Sequence, residues 1–262
     1  MATRSNYPRE EITKGNRAFS ASRTTIETTF YGNNVEVILD LQRAYDKARN
    51  CPGTIETDMP VFEPLKLGLQ EEAKVLLFND GASTARFAGA RVVLGHPDVD
   101  AEEINKVIRE VAFQTRYKKM YHTSSYIGLD RDFMVKAHLL IPEGYEDTLY
   151  NWLLNFQYIN DEYDDLYRKS VLLKDEPDIF ILADPDYSHP NFPEGLAYFD
   201  PEHNCACILG MRYFGEFKKA TLTLAWSIAN RNGYAACHGG LKRCLRSDGS
   251  AYILAVFGLS GS

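Results

Sequence analysis

Apolar residues recur along this chain in two rhythms, and the two alternate. From Asp100 to Tyr117 they fall at Ile104, Val107, Ile108, Val111 and Phe113, the spacing of a helix with one face inside. Asp100 stands at the cap, with Glu102 and Glu103 in the first turn. The same rhythm over Asn34–Asn50 (Val35, Ile38, Leu39, Leu41, Tyr45) predicts one amphipathic helix, broken by Cys51-Pro52-Gly53. Gly144–Phe156 predicts another, with Tyr145, Leu149, Trp152, Leu153 and Phe156 on one side. Ala220–Ala229 is apolar, uncharged and closed by Asn232-Gly233, which predicts a helix of about fourteen residues that Lys218 and Lys219 open.

Short, largely apolar runs read as strands: Ala73–Phe78, Val92–Leu94, Ile179–Ala183, Cys205–Leu209 ending at Gly210, and Ala251–Phe257; the more polar Lys118–Ile127, ending at Gly128, also reads as a strand. Phe133–Leu140 fits a buried strand or a short helix. Tyr234–Cys237 predicts a short strand that delivers His238 into Gly239-Gly240, and Ser247-Asp248-Gly249-Ser250 predicts a turn. The remainder is polar or broken. Residues 1–30 read as a surface arm, Pro60–Pro64 as a loop, and Asp184–Asp200 as a Pro-rich loop. In Asp161–Tyr167, Tyr and Leu interleave the carboxylates and no glycine turn is present, which suits a solvated face better than a cation site. Strands alternating with helices predict an α/β fold.

Composition narrows the class. The chain has 262 residues, 45% hydrophobic and 25% charged, enough for one large domain or two small ones. A net charge of −7 argues against nucleic acid as a partner but allows a locally basic pocket. No apolar run reaches membrane-spanning length and the N-terminus has no apolar signal core, so a cytoplasmic protein without a membrane partner is expected. Five irregularly spaced cysteines argue against a disulfide framework. His203-x-Cys205-x-Cys207 with Cys237-His238 admits a zinc site. In a strand, however, Cys205 and Cys207 share one face, which suits core packing equally well.

Candidate chemistry collects near the C-terminus. A compact polar group, Arg212, Tyr213, Gly215, Glu216, Lys218 and Lys219, follows the Cys205–Leu209 run. The last strand runs into Gly258-Leu259-Ser260-Gly261-Ser262, the way a phosphate-binding loop begins, where glycines let backbone amides point at an anion. Four spacers after Gly258 reach Ser262, one step short of the Gly-Lys-Ser/Thr that would complete the fingerprint.

The combination resembles ATP-dependent phosphoenolpyruvate carboxykinase. That family reads roughly Ile-Leu-Gly-Thr-x-Tyr-x-Gly-Glu-Met-Lys-Lys, then Met-His-Cys-Ser-Ala-Asn, then Phe-Gly-Leu-Ser-Gly-Thr-Gly-Lys-Thr-Thr. Tyr213-x-Gly215-Glu216-x-Lys218-Lys219, His238 and Phe257-Gly258-Leu259-Ser260-Gly261 match it, and the spacing from the lysine pair to the histidine agrees without gaps. Gly-Leu-Ser-Gly points to the ATP-using branch. Further back, Thr84, Arg86 and Val92-Val93 align with Thr-Gly-Arg-Ser-Pro-Lys-Asp-Lys-Tyr-Ile-Val. The chain departs from the family at Phe87–Ala90 and at Gly239–Leu241.

The resemblance implies a mixed-sheet, substrate-binding N-terminal domain over residues 31–233, preceded by the arm at 1–30. Residues 234–262 would carry the first hairpin of the nucleotide-binding domain and end inside the phosphate loop. It implies conversion of oxaloacetate and ATP to phosphoenolpyruvate, ADP and CO2 in gluconeogenesis, with Mn2+ and Mg2+ as cofactors, ATP as co-substrate, and a monomer as the expected assembly. Arg86 would grip the substrate carboxylate, for which its planar fork is suited. Tyr213 would sit beside the carboxylate or CO2, Lys218 would contact substrate or phosphate, and Lys219 and His238 would ligate manganese. Gly258, Leu259, Ser260, Gly261 and Ser262 would hold nucleotide phosphate, with Ser260 near the substrate phosphate. Adjacent lysines repel, and burial would lower their pKa further, which suits a lysine that ligates metal or moves a proton. Without the loop lysine, the magnesium-binding Thr, the metal-binding Asp and the adenine pocket, these 262 residues alone are expected to be inactive. Two other readings stay open. One is a divergent relative that binds a dicarboxylate or phosphorylated ligand without turnover. The other is a different P-loop kinase, which gives Arg86 and Lys219 no role.

Overall fold

The computed structural model describes residues 19–78, 90–94, 96–97, 99–173 and 176–258. Two compact units divide the chain, Met1–Ile228 and Ala229–Ser262. In chain order the first contains α1 (Ala21–Thr28), β1 (Val35–Val37), α2 (Leu41–Arg49), β2 (Ile55–Pro60), β3 (Lys74–Leu77), β4 (Ala90–Val93), α3 (Ala101–Gln114), β5 (Met120–Asp130), β6 (Phe133–Pro142), α4 (Glu146–Asn155), β7 (Gln157–Tyr158), α5 (Asp161–Lys169), β8 (Ile179–Asp184), β9 (Leu196–Asp200) and β10 (Cys205–Leu209). Helix α6 (Phe214–Arg231) runs across the boundary.

Among the described residues, eight strands form one mixed sheet in the order β1-β5-β6-β8-β10-β9-β4, with β7 beside β5. Strands β6, β8 and β10 run parallel at its centre, β5 and β9 flank them antiparallel, and β1 and β4 pair parallel with those two. Every residue of β8, β9 and β10 is buried, which is why β8 and β10 read as continuous apolar runs. Alternation along β10 splits the core into two layers. Ala206 and Ile208 join Trp152 of α4 and Phe217, Leu224 and Ile228 of α6. Cys205, Cys207 and Leu209 join Ile26 of α1 and Ile108 and Val111 of α3 on the opposite face.

Several elements differ from the sequence expectation. The single helix over Asn34–Asn50 is a strand followed by a helix. Val35–Val37 pair with Met120–His122, and the Asp40 carboxylate accepts from Arg43 N at 2.7 Å, which starts α2 at Leu41. Residues 21–28 are helix rather than arm: Ser20 caps α1, and Ser22, Arg23 and Ile26 are buried. Strand β2 was not anticipated, and its partner β3 buries only Leu76, with Leu77 55% exposed. Strand β9 hides within the expected Pro-rich loop. Phe133–Pro142 is strand throughout, β5 continues past Gly128, and Phe113 is 54% exposed. The acidic segment is helix α5, with none of its residues buried.

The second unit contains an antiparallel hairpin of β11 (Gly239–Leu245) and β12 (Ala251–Phe257), paired from Gly239↔Phe257 to Leu245↔Ala251. Its turn is the expected one: Gly249 has φ +83°, and Arg246 N donates to Ser250 O at 2.8 Å. Tyr234–His238 is irregular, so the strand begins at Gly239 and does not end at Cys237. Every residue of β12 is exposed within this unit.

Candidate active site

Strands β8 and β10 end side by side at Asp184 and Leu209. The carboxyl ends of parallel strands are where α/β sheets receive ligands. Gly210 turns the chain there with φ +66°, and a Cβ on it would lie 2.7 Å from the Tyr187 carbonyl oxygen. Only glycine lets the backbone pass so closely. Next in the chain, Arg212 Nη2 meets Asp186 Oδ1 at 2.7 Å, and the Tyr145 hydroxyl donates to the same oxygen. The guanidinium lies 5.4 Å over the Tyr145 ring. Burial would raise the Asp186 carboxyl, but hydrogen bonds from Tyr145 and Arg212 outweigh it and hold the group below the usual range. Lys118 pairs with buried Asp184 at the same edge.

Tyr213 enters α6, its carbonyl accepting from Glu216 N at 3.0 Å. Buried Phe217, Ala220, Leu224 and Ile228 dock the helix on the core, and Trp152 Nε1 donates to Thr221 Oγ1 at 2.9 Å. That periodicity turns the lysine pair away from the core: Lys218 is half-buried and Lys219 exposed. Two expectations are corrected here. The helix has 18 residues, so the lysines are its fifth and sixth, beyond the first turn where the amide potential concentrates. The burial expected of the pair is not found at Lys219. The Tyr213 ring lies against Gly215: a Cβ there would be 2.5 Å from Cε1 and 2.8 Å from the hydroxyl. Lys218 and Lys219 follow Gly215 by three and four positions, the spacing of helix-surface neighbours. One face of α6 therefore carries a phenol, a bare backbone and an ammonium.

Residues 94–262 match the family model of phosphoenolpyruvate carboxykinase, in its ATP-dependent class, and so cover more than half of the chain. This chain belongs to the phosphoenolpyruvate carboxykinase family. No curated protein matches it. The family's enzymes are lyases of gluconeogenesis that use oxaloacetate or phosphoenolpyruvate, ATP and divalent metals. A carboxykinase-like function follows for the chain. Among the described residues no helix is long and apolar enough to cross a membrane.

The carboxykinase match includes Tyr213, Lys218, Lys219, His238 and Gly258, and it begins after Arg86. Arg86, Leu259, Ser260, Gly261 and Ser262 lie outside the described residues. His238 is exposed in the second unit, while Lys219 belongs to the first. Among the described residues no three His, Cys, Asp or Glu side chains gather to hold a metal. An amine and an imidazole suit a divalent transition metal as two of its ligands, not as a full set. The zinc alternative finds no support in the first unit. Cys205 and Cys207 are packed in the core, where burial pushes both thiols up, and His203 Nδ1 is held by Asp200 at 2.8 Å. A cleft between α2 and β5, of about 470 Å³ and lined by Arg43, Lys47, Lys119 and Tyr121, contains none of the expected residues. Its cations are paired with Glu36 and Glu143.

Sequence reasoning missed a buried polar chain across the sheet. Ser124 Oγ lies 2.8 Å from His138 Nδ1, and His138 Nε2 lies 3.2 Å from Asp178 Oδ2. His122 Nε2 is 3.0 Å from His138 Nδ1, and the Tyr167 hydroxyl donates to Asp178 Oδ1 at 3.1 Å. The groups follow one another as in a serine–histidine–aspartate triad, but the serine faces Nδ1 and the aspartate Nε2, the reverse of the catalytic arrangement, and Ser124 is 2% and His138 4% exposed, which leaves no approach for a substrate. The chain is a structural tie. No local pattern marks it, because its members come from β5, β6, α5 and the residue just before β8.

Proposed function

We propose that this chain contributes the substrate-binding domain, residues 31–233, and the start of the nucleotide-binding domain, residues 234–262, of an ATP-dependent phosphoenolpyruvate carboxykinase. The observation that carries the reading is the α6 face itself: Tyr213, Gly215 and the Lys218-Lys219 pair at the carboxyl edge of the sheet, inside the family match. A doubly charged acid needs cations, and an enolate formed on loss of CO2 needs electrostatic stabilisation. Lys218 and Lys219 supply the positive charge, Tyr213 supplies a hydroxyl to orient the carboxylate, and Arg86 supplies a bidentate fork. The amides of Gly258–Ser262 would receive the nucleotide phosphates. Lys219 and His238 would be two ligands of the divalent metal, which when bound neutralises the transferring phosphoryl group. The protein would act in the cytoplasm, without nucleic acid or membrane as a partner. A second reading, a relative that binds without turnover, draws on Gly239-Gly240-Leu241, which replace Ser-Ala-Asn of the family.

Calorimetry with Mn2+ and phosphoenolpyruvate tests the reading on the wild type and on Lys219→Ala. We expect Lys219→Ala to weaken Mn2+ binding at least tenfold, the lower end of what losing support at a metal site costs. Equal affinity of the two proteins would remove Lys219 from the site.

A further inference from the structure

We propose that Gly215 is a positioning residue: its missing side chain makes the seat on which the Tyr213 ring rests, and any larger residue there evicts the phenol from the substrate face of α6. The inference rests on the reading of Tyr213 given above and extends it to the residue on which that ring rests.

Three observations carry it. A Cβ at Gly215 would lie 2.5 Å from Cε1, 2.6 Å from Cζ and 2.8 Å from the hydroxyl of Tyr213, closer than non-bonded carbon atoms come. Gly215 is the second residue of α6 and is not among the positive-φ glycines, so its backbone asks for no glycine. Glycine weakens a helix relative to alanine, and the atoms a Cβ would meet first at this position are those of the tyrosine ring. Finally, the three nearest atoms all belong to one rotatable side chain. A methyl group at 215 therefore moves the ring rather than the backbone, whose entry into the helix is held by the Glu216 N to Tyr213 O bond at 3.0 Å. The seat also explains why the phenol and the lysines share a face. Gly215 lies one turn before Lys218 and Lys219, so a ring resting on it lies at the end of the helix surface that the lysines occupy.

The test uses the full chain with ring-13C tyrosine. The cross-peak missing from Tyr213→Phe identifies Tyr213. In Gly215→Ala we expect that peak to move, the other tyrosine peaks to stay, and the melting temperature to hold or rise. Phosphoenolpyruvate binding with Mn2+, by calorimetry, should weaken by the same factor in Gly215→Ala as in Tyr213→Ala, and the double variant should be no weaker than either. An unmoved Tyr213 peak, or losses that multiply in the double variant, overturns the seat. If the peak moves but Tyr213→Ala binds like the wild type, the seat stands and the substrate role of Tyr213 falls. Should Gly215→Ala not fold, recovery of the fold in Tyr213→Ala/Gly215→Ala supports the seat, and failure to recover overturns it.

Discussion

Replacing Arg23 with methionine is expected to destabilise the first unit by about 3–5 kcal/mol, the cost of breaking a buried charge network by removing one member. Arg23 is 0% exposed. Its Nη1 donates to the carbonyls of Asp178, His203 and Asn204 at 2.6, 2.9 and 3.1 Å, and its Nε meets Glu27 Oε2 at 2.9 Å. The guanidinium also lies 4.5 Å over the Phe180 ring. The three carbonyls precede β8 and β10, so one side chain ties α1 to the amino ends of the two central strands, opposite the edge that carries Tyr213. Methionine fills much of the volume and donates to none of the three: Asn204 O keeps its bond from Phe180 N at 3.0 Å, while the carbonyls of Asp178 and His203 lose the Arg23 donor. Urea unfolding should show the loss, with a melting temperature lower by roughly 10 °C at the 2–4 °C per kcal/mol typical of this size. A loss below about 1 kcal/mol would mean that α1 is not held in this way.

Acid is expected to weaken the protein from about pH 6.5 downward, before its carboxylates titrate. Burial pushes His122 down to about 3, reinforced by His138 and Lys136. Burial also lowers His138, overcoming the hydrogen bond and charge of Asp178, while Lys136 and Arg23 act in the same direction as burial. The Phe30 ring meets both imidazoles edge-on and Phe180 stacks on His138, so little water reaches them. In the unfolded chain both histidines take up protons near 6.5. Between that pH and about 3, the unfolded state binds more protons than the folded one, and stability falls as pH falls. The slope is about 1.4 kcal/mol per pH unit for each histidine that titrates only on unfolding. Asp178 and Asp200 act lower. Burial alone would raise them, but bonds from His138 to Asp178 and from His203 to Asp200 hold both down, so their contribution is present above about 4 and lost in stronger acid. Urea midpoints at pH 7.5, 6.5, 5.5 and 4.5 measure the slope. His122→Asn should reduce it by about one proton's worth, and an unchanged slope would show that His122 is already charged in the folded state.

Legibility followed the range of the forces involved. Helix α3 was readable because its cap, first-turn acids and inward face lie within Asp100–Gln114, and the Asp100 carboxylate does bond to Glu102 N and Glu103 N. Strands β8 and β10 were readable because burial on both faces leaves an unbroken apolar run. Val35–Val37 were not. Their residues fit a helix face as well as a strand, and the edge of β5, some 85 positions later, decided between them. Strand β9 was concealed by the prolines and the turn before it. The two histidines and Asp178 are placed together by pairing of β5, β6 and β8, which no local spacing records.

By itself the sequence determined the family, since Tyr213, Gly215, Lys218, Lys219 and His238 lie at spacings set by the covalent chain, and it determined those elements whose caps and periodicity lie within a dozen residues. Tertiary structure alone decided that Arg23 is a buried tie rather than part of an arm, that Lys219 faces outward from α6, and that Gly215 lies beneath a tyrosine ring. Each of those depends on which distant surfaces exclude water from one another, and that exclusion is a property of the assembled layers rather than of any segment of the chain.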